Sequence, residues 1–197
     1  MADVRHFDEA GAIESAELLF WRHGVGAVGI TQLTSATGLS RSSLYNAFGD
    51  KHGLYLAALD RYLTARALPS FARLGSAPDG VSAVRRFFEE LIAARCGGPH
   101  RGWGCLIVNG SIELAETDGE ASSRFRQHAA ALREGLTSAL TRGRVANDLR
   151  GDIDIASHAE LLTLLAYGLT VRSRAGEHAD RLHAAVSAAL DPITATS

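Results

Sequence analysis

Residues 31–59, TQLTSATGLSRSSLYNAFGDKHGLYLAAL, contain two short helical patterns on either side of Gly38, followed by the opening of a longer one. An isolated helix of fewer than about 12–15 residues is marginal in water. The short pair must therefore be held by neighbours, and what its exposed side carries decides what it is for. Gly29 is placed as the N-cap of the first short helix, with Gln32 able to reach back to its amide as half of a capping box. Val28 and Leu33 are spaced as a hydrophobic staple, and Gly38 falls where the chain must turn through positive φ. Ser40 is expected to cap a helix from Arg41 to Ala47, and Asp50 to cap the one beginning at Lys51.

Between those caps the side chains separate by polarity. Leu33, Ala36, Leu39, Leu44 and Phe48 are expected to pack on a first helix, about Asp8 to His23, whose stripe is Ala12, Ile13, Ala16, Leu19 and Phe20. That leaves Thr31, Gln32, Arg41, Ser42, Ser43, Tyr45 and Asn46 outside. Helix, glycine turn, helix is the arrangement whose second helix enters the DNA major groove by its N-terminal residues. Ser42 and Ser43 are small enough for close backbone approach, and Arg41 is long enough to reach a guanine edge. Tyr45, Lys51 and the amides of the helix that Lys51 opens suit phosphates.

The rest of the 197-residue chain also reads as helix, about nine helices in all and no strand. The longest early pattern runs from about Lys51 to Arg73, and later ones lie near 81–96, 102–115, 121–142, 155–174 and 178–190. Loops at 75–80, 97–99, 117–119 and 147–151 punctuate them. The content, 46% hydrophobic and 21% charged, is that of a globular protein, and a formal charge of −2 gives no global basic field. DNA binding must then rest on one local face. Two cysteines are too few for a disulfide framework, and neither a leader nor a membrane-length apolar run is apparent, so a cytoplasmic location is expected.

Residues 8–62 closely resemble the DNA-binding domain of the TetR (tetracycline repressor) family. The matching pieces are the amphipathic first helix ending in HG, the pair ITQLTSATGLSRSSLYNAF and the segment DKHGLYLAAL. The resemblance implies an all-α chain: a helix-turn-helix DNA-binding domain (1–50) followed by an effector-binding and dimerisation bundle (51–197). It places Thr31, Arg41, Ser42, Ser43, Tyr45, Asn46 and Lys51 at DNA-facing positions. Its implied partners are double-stranded operator DNA of pseudo-palindromic sequence, a small-molecule effector and a second copy of the chain, with no cofactor. One departure is Val28-Gly29, where the family often has Thr or Ser and a cap hydroxyl for a phosphate.

The larger section is less explicit. In ASHAELLTLLAYGLTVRSR (156–174), Leu161, Leu162, Leu164, Leu165, Ala166, Leu169 and Val171 cover about half the helix, more than the roughly 100° stripe a surface helix needs. The last helix adds Leu182, Val186 and Leu190, with small Ala185, Ala188 and Ala189, so a two-fold four-helix interface is expected. In HRGWGCLIVNGSIELAE (100–116), Cys105 opens a helix with Asn109 and Glu113 on the same face. A helix N-terminus, with His100 or Arg101 nearby, lowers a thiol's pKa. The run around Cys105 is similar to one in TetR-like proteins that sense electrophiles or oxidants, while a buried cysteine that only packs reads equally from the residues. Trp103, Cys105, Asn109, Glu113 and Tyr167 are the expected effector contacts, and Phe87, Phe88 and Phe125 further pocket candidates. His178 and His183 diverge on a helix, so no metal site is expected. A helical enzyme with Cys105 as nucleophile would need His100 or His128 as base, a different function class.

Overall fold

A computed structural model describes residues 8–195, so the outer ends of the two expected domains, 1–7 and 196–197, lie outside the described residues. The helices are α1 (Glu9–His23), α2 (Ile30–Thr37), α3 (Arg41–Phe48), α4 (Lys51–Tyr62), α5 (Leu68–Ser76), α6 (Gly80–Cys96), α7 (Leu106–Leu114), α8 (Gly119–Val145), α9 (Ile155–Arg174) and α10 (Ala179–Leu190). A π turn, Leu63–Ala67, joins α4 to α5 without a break, so the described residues form nine helical rods and no strand. The rod expected to end at Arg73 runs on to Ser76, and Pro69, which has no amide to donate, falls just after the π turn.

The N-terminal caps form as the sequence implies. The Gly29 amide donates to Gln32 Oε1 at 2.8 Å, and Gly38 adopts φ +70° at the turn between α2 and α3. Ser40 Oγ accepts from the Ser43 amide at 3.0 Å, and Asp50 Oδ1 from the Gly53 amide at 2.8 Å. Val28, Leu33 and Leu44 share a buried cluster with Ala16 and Phe20 of α1, and Leu39 is buried too, but Ala36 is exposed. Leu33 is the buried residue of this eight-residue helix, with Ile30 packed partly against the core, and Ala36 lies outside.

Two layers follow. α1 packs on α2 and α4, while α8 is the axis of the C-terminal section, contacting α5, α6, α7 and α9, with α10 laid on α6. Leu182, Val186 and Leu190 of α10 point into this core and are not free for an interface. They follow the inner stripe of α10, whose other side carries exposed Ala184, Ala185 and Ala188. The helix expected from residue 102 begins only at Leu106, because Gly102 and Gly104 take φ +73° and +69° and hold residues 102–105 in a loop.

Candidate functional site

The outer face of α2 and α3 carries the expected polar set. Thr31, Gln32, Arg41, Ser42, Tyr45 and Asn46 are exposed, while Ser43 and Lys51 are half-buried. Arg41 and Tyr45, one turn apart, share a face, the guanidinium carbon 6.0 Å from the ring centre. Ser42 and Ser43 hydroxyls both hydrogen-bond to Ser40 Oγ, at 2.9 and 2.8 Å, which draws them back along the cap and leaves Arg41 the longest reach. Lys51 stands at the first position of α4, beside amides that face outward. The face is therefore a protruding short helix flanked by one lysine.

Beneath it, α1 and α4 are clamped by a buried carboxylate. Glu17 is 0% exposed and binds Arg61 at 2.6 Å and Arg66 at 2.7 Å. Arg61 reaches on to Glu14 at 2.8 Å. The Arg66 guanidinium, so anchored, lies over the Trp21 ring at 5.3 Å.

Arg66 and Trp21 belong to the wall of a cavity of about 350 Å³ enclosed by α1, α4 to α6, α8 and α9, within the range of small-molecule sites. Cys105 and Tyr167 line it as expected; Phe87 does too. Trp103, Asn109 and Glu113 do not. Trp103 packs edge-on to Trp21 at 5.6 Å, outside the cavity. Asn109 donates to the Trp103 carbonyl at 2.8 Å, closing the loop that leads into α7. Glu113 accepts from the Gly26 amide at 3.2 Å, in the segment between α1 and α2. The late start of α7 explains the difference: Cys105 is its N-cap, so Asn109 and Glu113 descend a side of the helix that meets the loop and α1. Phe88 and Phe125 are core residues.

Polar groups cluster at the thiol. Tyr62 Oη donates to Cys105 Sγ at 3.4 Å and accepts from Arg95 Nη2 at 3.0 Å. His128 Nε2 lies 3.9 Å from Sγ, and its Nδ1 is 2.8 Å from Tyr167 Oη. Burial pushes both phenols up, so each is a neutral donor. His128 thus bridges Tyr167 and the Cys105 sulfur through its two ring nitrogens. Burial alone would raise the thiol, but His128, Arg95 and Tyr62 outweigh it and bring Cys105 down to about 6. A buried thiol with that donor set favours thiolate, the nucleophilic form. The groups responsible are not Arg101 and His100, the neighbours in sequence, but residues from α4, α6 and α8. Cys96 is a separate free thiol, pushed up by burial.

The cavity is also tied to the DNA-facing section. Trp21 Nε1 donates to the Gly104 carbonyl at 3.0 Å, and Arg174 Nη1 donates to the carbonyls of Trp21 and Trp103 at 3.2 and 2.8 Å. A side chain at position 104 would meet Asn109 Oδ1 at 3.0 Å and the Thr170 carbonyl at 3.2 Å. Glycine there lets α1, α7 and α9 converge next to Cys105. Among the described residues no cluster of His, Cys, Asp or Glu could hold a metal ion, and no helix is long and apolar enough to cross a membrane.

Known proteins share both the pieces and the whole. The family model described as "Bacterial regulatory proteins, tetR family" matches residues 12–58, and "Tetracyclin repressor-like, C-terminal domain" matches residues 80–189. The HTH-type transcriptional repressor ComR of Escherichia coli (strain K12) is 27% identical over 176 residues, 89% of this chain and 84% of that one. The uncharacterized HTH-type transcriptional regulator YezE of Bacillus subtilis (strain 168) is 29% identical over 191 residues, 96% of this chain and 98% of that one. Among solved structures, a cysteine mutant of the TetR family transcriptional regulator CifR, complexed with 26-base-pair operator DNA, superposes with a TM-score of 0.79. It is 28% identical and covers 95% of this chain and 97% of its own. Escherichia coli NemR in its reduced form has a TM-score of 0.82 at 20% identity, covering 95% of this chain and 97% of its own, a likeness of fold. A cysteine-dependent enzyme is set aside by the same findings. The chain belongs to the TetR family of transcriptional regulators.

Proposed function

We propose that this regulator is a dimeric repressor that binds a pseudo-palindromic operator through α2, α3 and the start of α4, and leaves it when a small molecule fills the cavity at Cys105. Support for DNA binding comes from the exposed Arg41–Tyr45 face with Lys51 beside it, and from relatives named repressors or held on operator DNA. The observation that carries the effector reading is the cavity itself, about 350 Å³ between helices that also touch α1 and α4. Occupancy shifts the equilibrium only as far as the ligand prefers the DNA-free form. The expected site residues are Thr31, Gln32, Arg41, Ser42, Ser43, Tyr45, Asn46 and Lys51 for DNA. For the effector they are Cys105 and Tyr167, with Trp103, Asn109 and Glu113 acting from outside the cavity, and action on DNA places the protein in the cytoplasm.

A second reading, thiol sensing by Cys105, is favoured by one observation: the donor set that brings the thiol down to about 6. The experiment for the first reading is titration of DNA flanking the gene with wild type, Arg41→Ala and Lys51→Ala at several salt concentrations. Arg41→Ala should lose about 1–3 kcal/mol of discrimination at one base pair. Lys51→Ala should weaken binding to all sequences and reduce the salt slope by about one unit. If neither variant changes affinity or slope, the DNA-facing assignment is wrong.

A further inference from the structure

The cavity holds a cation, Arg95, whose neighbouring anion is the Cys105 thiolate and which has no carboxylate beside it. Arg95 gives Nη2 to Tyr62, and its buried Nε has no hydrogen-bond partner. Among the described residues, the groups that favour its charge are Tyr62 and Cys105, and neither is a carboxylate. Arg66, on the same indole, is neutralised by Glu17. Glu90, the acid on the cavity wall, is 55% exposed and turned to Arg73 at 3.4 Å. A second unmet group stands beside Arg95: the buried Nδ1 of His100 also lacks a partner. Both converge on Trp21, the Arg95 guanidinium carbon 5.4 Å and the His100 ring 4.7 Å from its centre. Burial and the two guanidiniums hold His100 down, so it is a neutral ring able to donate one N–H. Away from this polar end the wall is Phe71, Phe87, Leu91, Val108, Leu132 and Ala166.

A buried guanidinium without a carboxylate and a buried donor without an acceptor are both unfavourable. A ligand that supplies one negative charge and two acceptor oxygens relieves both, whereas a neutral isostere can meet the donor but not the charge. One guanidinium matches one carboxylate rather than a phosphate dianion, and the apolar remainder matches a flat hydrocarbon body. We propose that the effector of this cavity is a small aromatic or unsaturated monocarboxylic acid, its carboxylate received by Arg95 with His100 alongside, its body against Phe71, Phe87 and Leu132. This rests on the reading of the cavity as the effector site and names the class of molecule it takes. The carboxylate would replace the Cys105 thiolate as the counter-charge of Arg95, so binding also makes the thiol less reactive.

The test is calorimetric titration of the full chain with benzoate and cinnamate against the uncharged isosteres benzamide and cinnamamide. At least one acid should bind tenfold or more tightly than its amide, and that acid should slow alkylation of Cys105 by iodoacetamide. Arg95→Met should reduce the acid–amide difference to within twofold, and Arg95→Lys should keep part of it. Amides binding as tightly as acids, or no saturable binding of either at millimolar concentration, overturns the proposal; the wild-type comparison stands even if a variant does not fold. Operator release is scored in parallel: selective acid binding that leaves the operator complex intact defeats the effector reading while the acid site stands.

Discussion

Cys105 concentrates the chemistry of the cavity in one atom, and its protonation is the quantity to measure first. With the thiol at about 6, the alkylation rate should be half-maximal near that pH. It should fall about tenfold for each unit below, as thiolate is replaced by thiol. His128→Phe removes the hydrogen bond and charge that lower the thiol most, so the midpoint should rise toward the ordinary cysteine range. A midpoint unmoved by His128→Phe would mean that Arg95 and Tyr62 alone set it. The same atom separates the two functional readings. Under oxidant, a thiol sensor carrying Cys105→Ser should stay on its operator, whereas a reversible receptor with that substitution should still respond to its ligand. The cysteine was legible in the sequence as a candidate, but its activating groups were not. Arg95 reads as the basic residue that commonly ends a helix, and Tyr62 and His128 stand 43 and 23 residues from the thiol.

The helices from α2 to α4 were legible to the cap, because capping is local: Gly29, Ser40 and Asp50 each make the capping hydrogen bond within three residues. What joins those helices was not. Glu17 borders the apolar stripe of α1 and looks like an ordinary solvent-side acid, yet its partners arrive from 44 and 49 residues away. Replacing it with Gln keeps the shape, removes the charge and leaves Arg66, 32% exposed, without its carboxylate, while Arg61, 25% exposed, keeps only Glu14. Breaking a fully buried pair costs about 3–5 kcal/mol; partial access of both arginines to water brings the expected loss to about 2–3 kcal/mol. A urea melt should show a lower midpoint with an unchanged slope. The effector helix was misjudged for the complementary reason. Two glycines at positive φ delay α7 by a full turn, and periodicity in the sequence does not reveal where a loop lets go.

Assembly depends on a face that one chain leaves uncovered. Leu161, Leu164 and Val171 of α9 are 52%, 60% and 41% exposed, beside the small exposed side of α10. A contiguous apolar surface of this kind marks an interaction site, and we expect a second copy to cover it. Leu164→Asp should split the dimer in sedimentation and abolish tight operator binding while the thermal transition of the protomer stays cooperative. A charge at Val186, 3% exposed, would instead damage the protomer itself and says nothing about assembly. A wild-type chain that sediments as a monomer at micromolar concentration would end the dimer reading.

The π turn at Leu63–Ala67 has a consequence for how the two ends of the molecule are geared together. An α-helix advances about 100° per residue, and a π turn carries one residue more per turn than its surroundings. The rod from Lys51 to Ser76 is thus a screw cut in two phases: the first half is meshed with α1, the second with α8. Such a thread has no small adjustment. Restoring a single phase would move the register by a whole residue, a rotation of about 100° and a translation of about 1.5 Å. The slipped turn also carries Arg66, which holds α1 through Glu17 and faces the cavity with the same side chain.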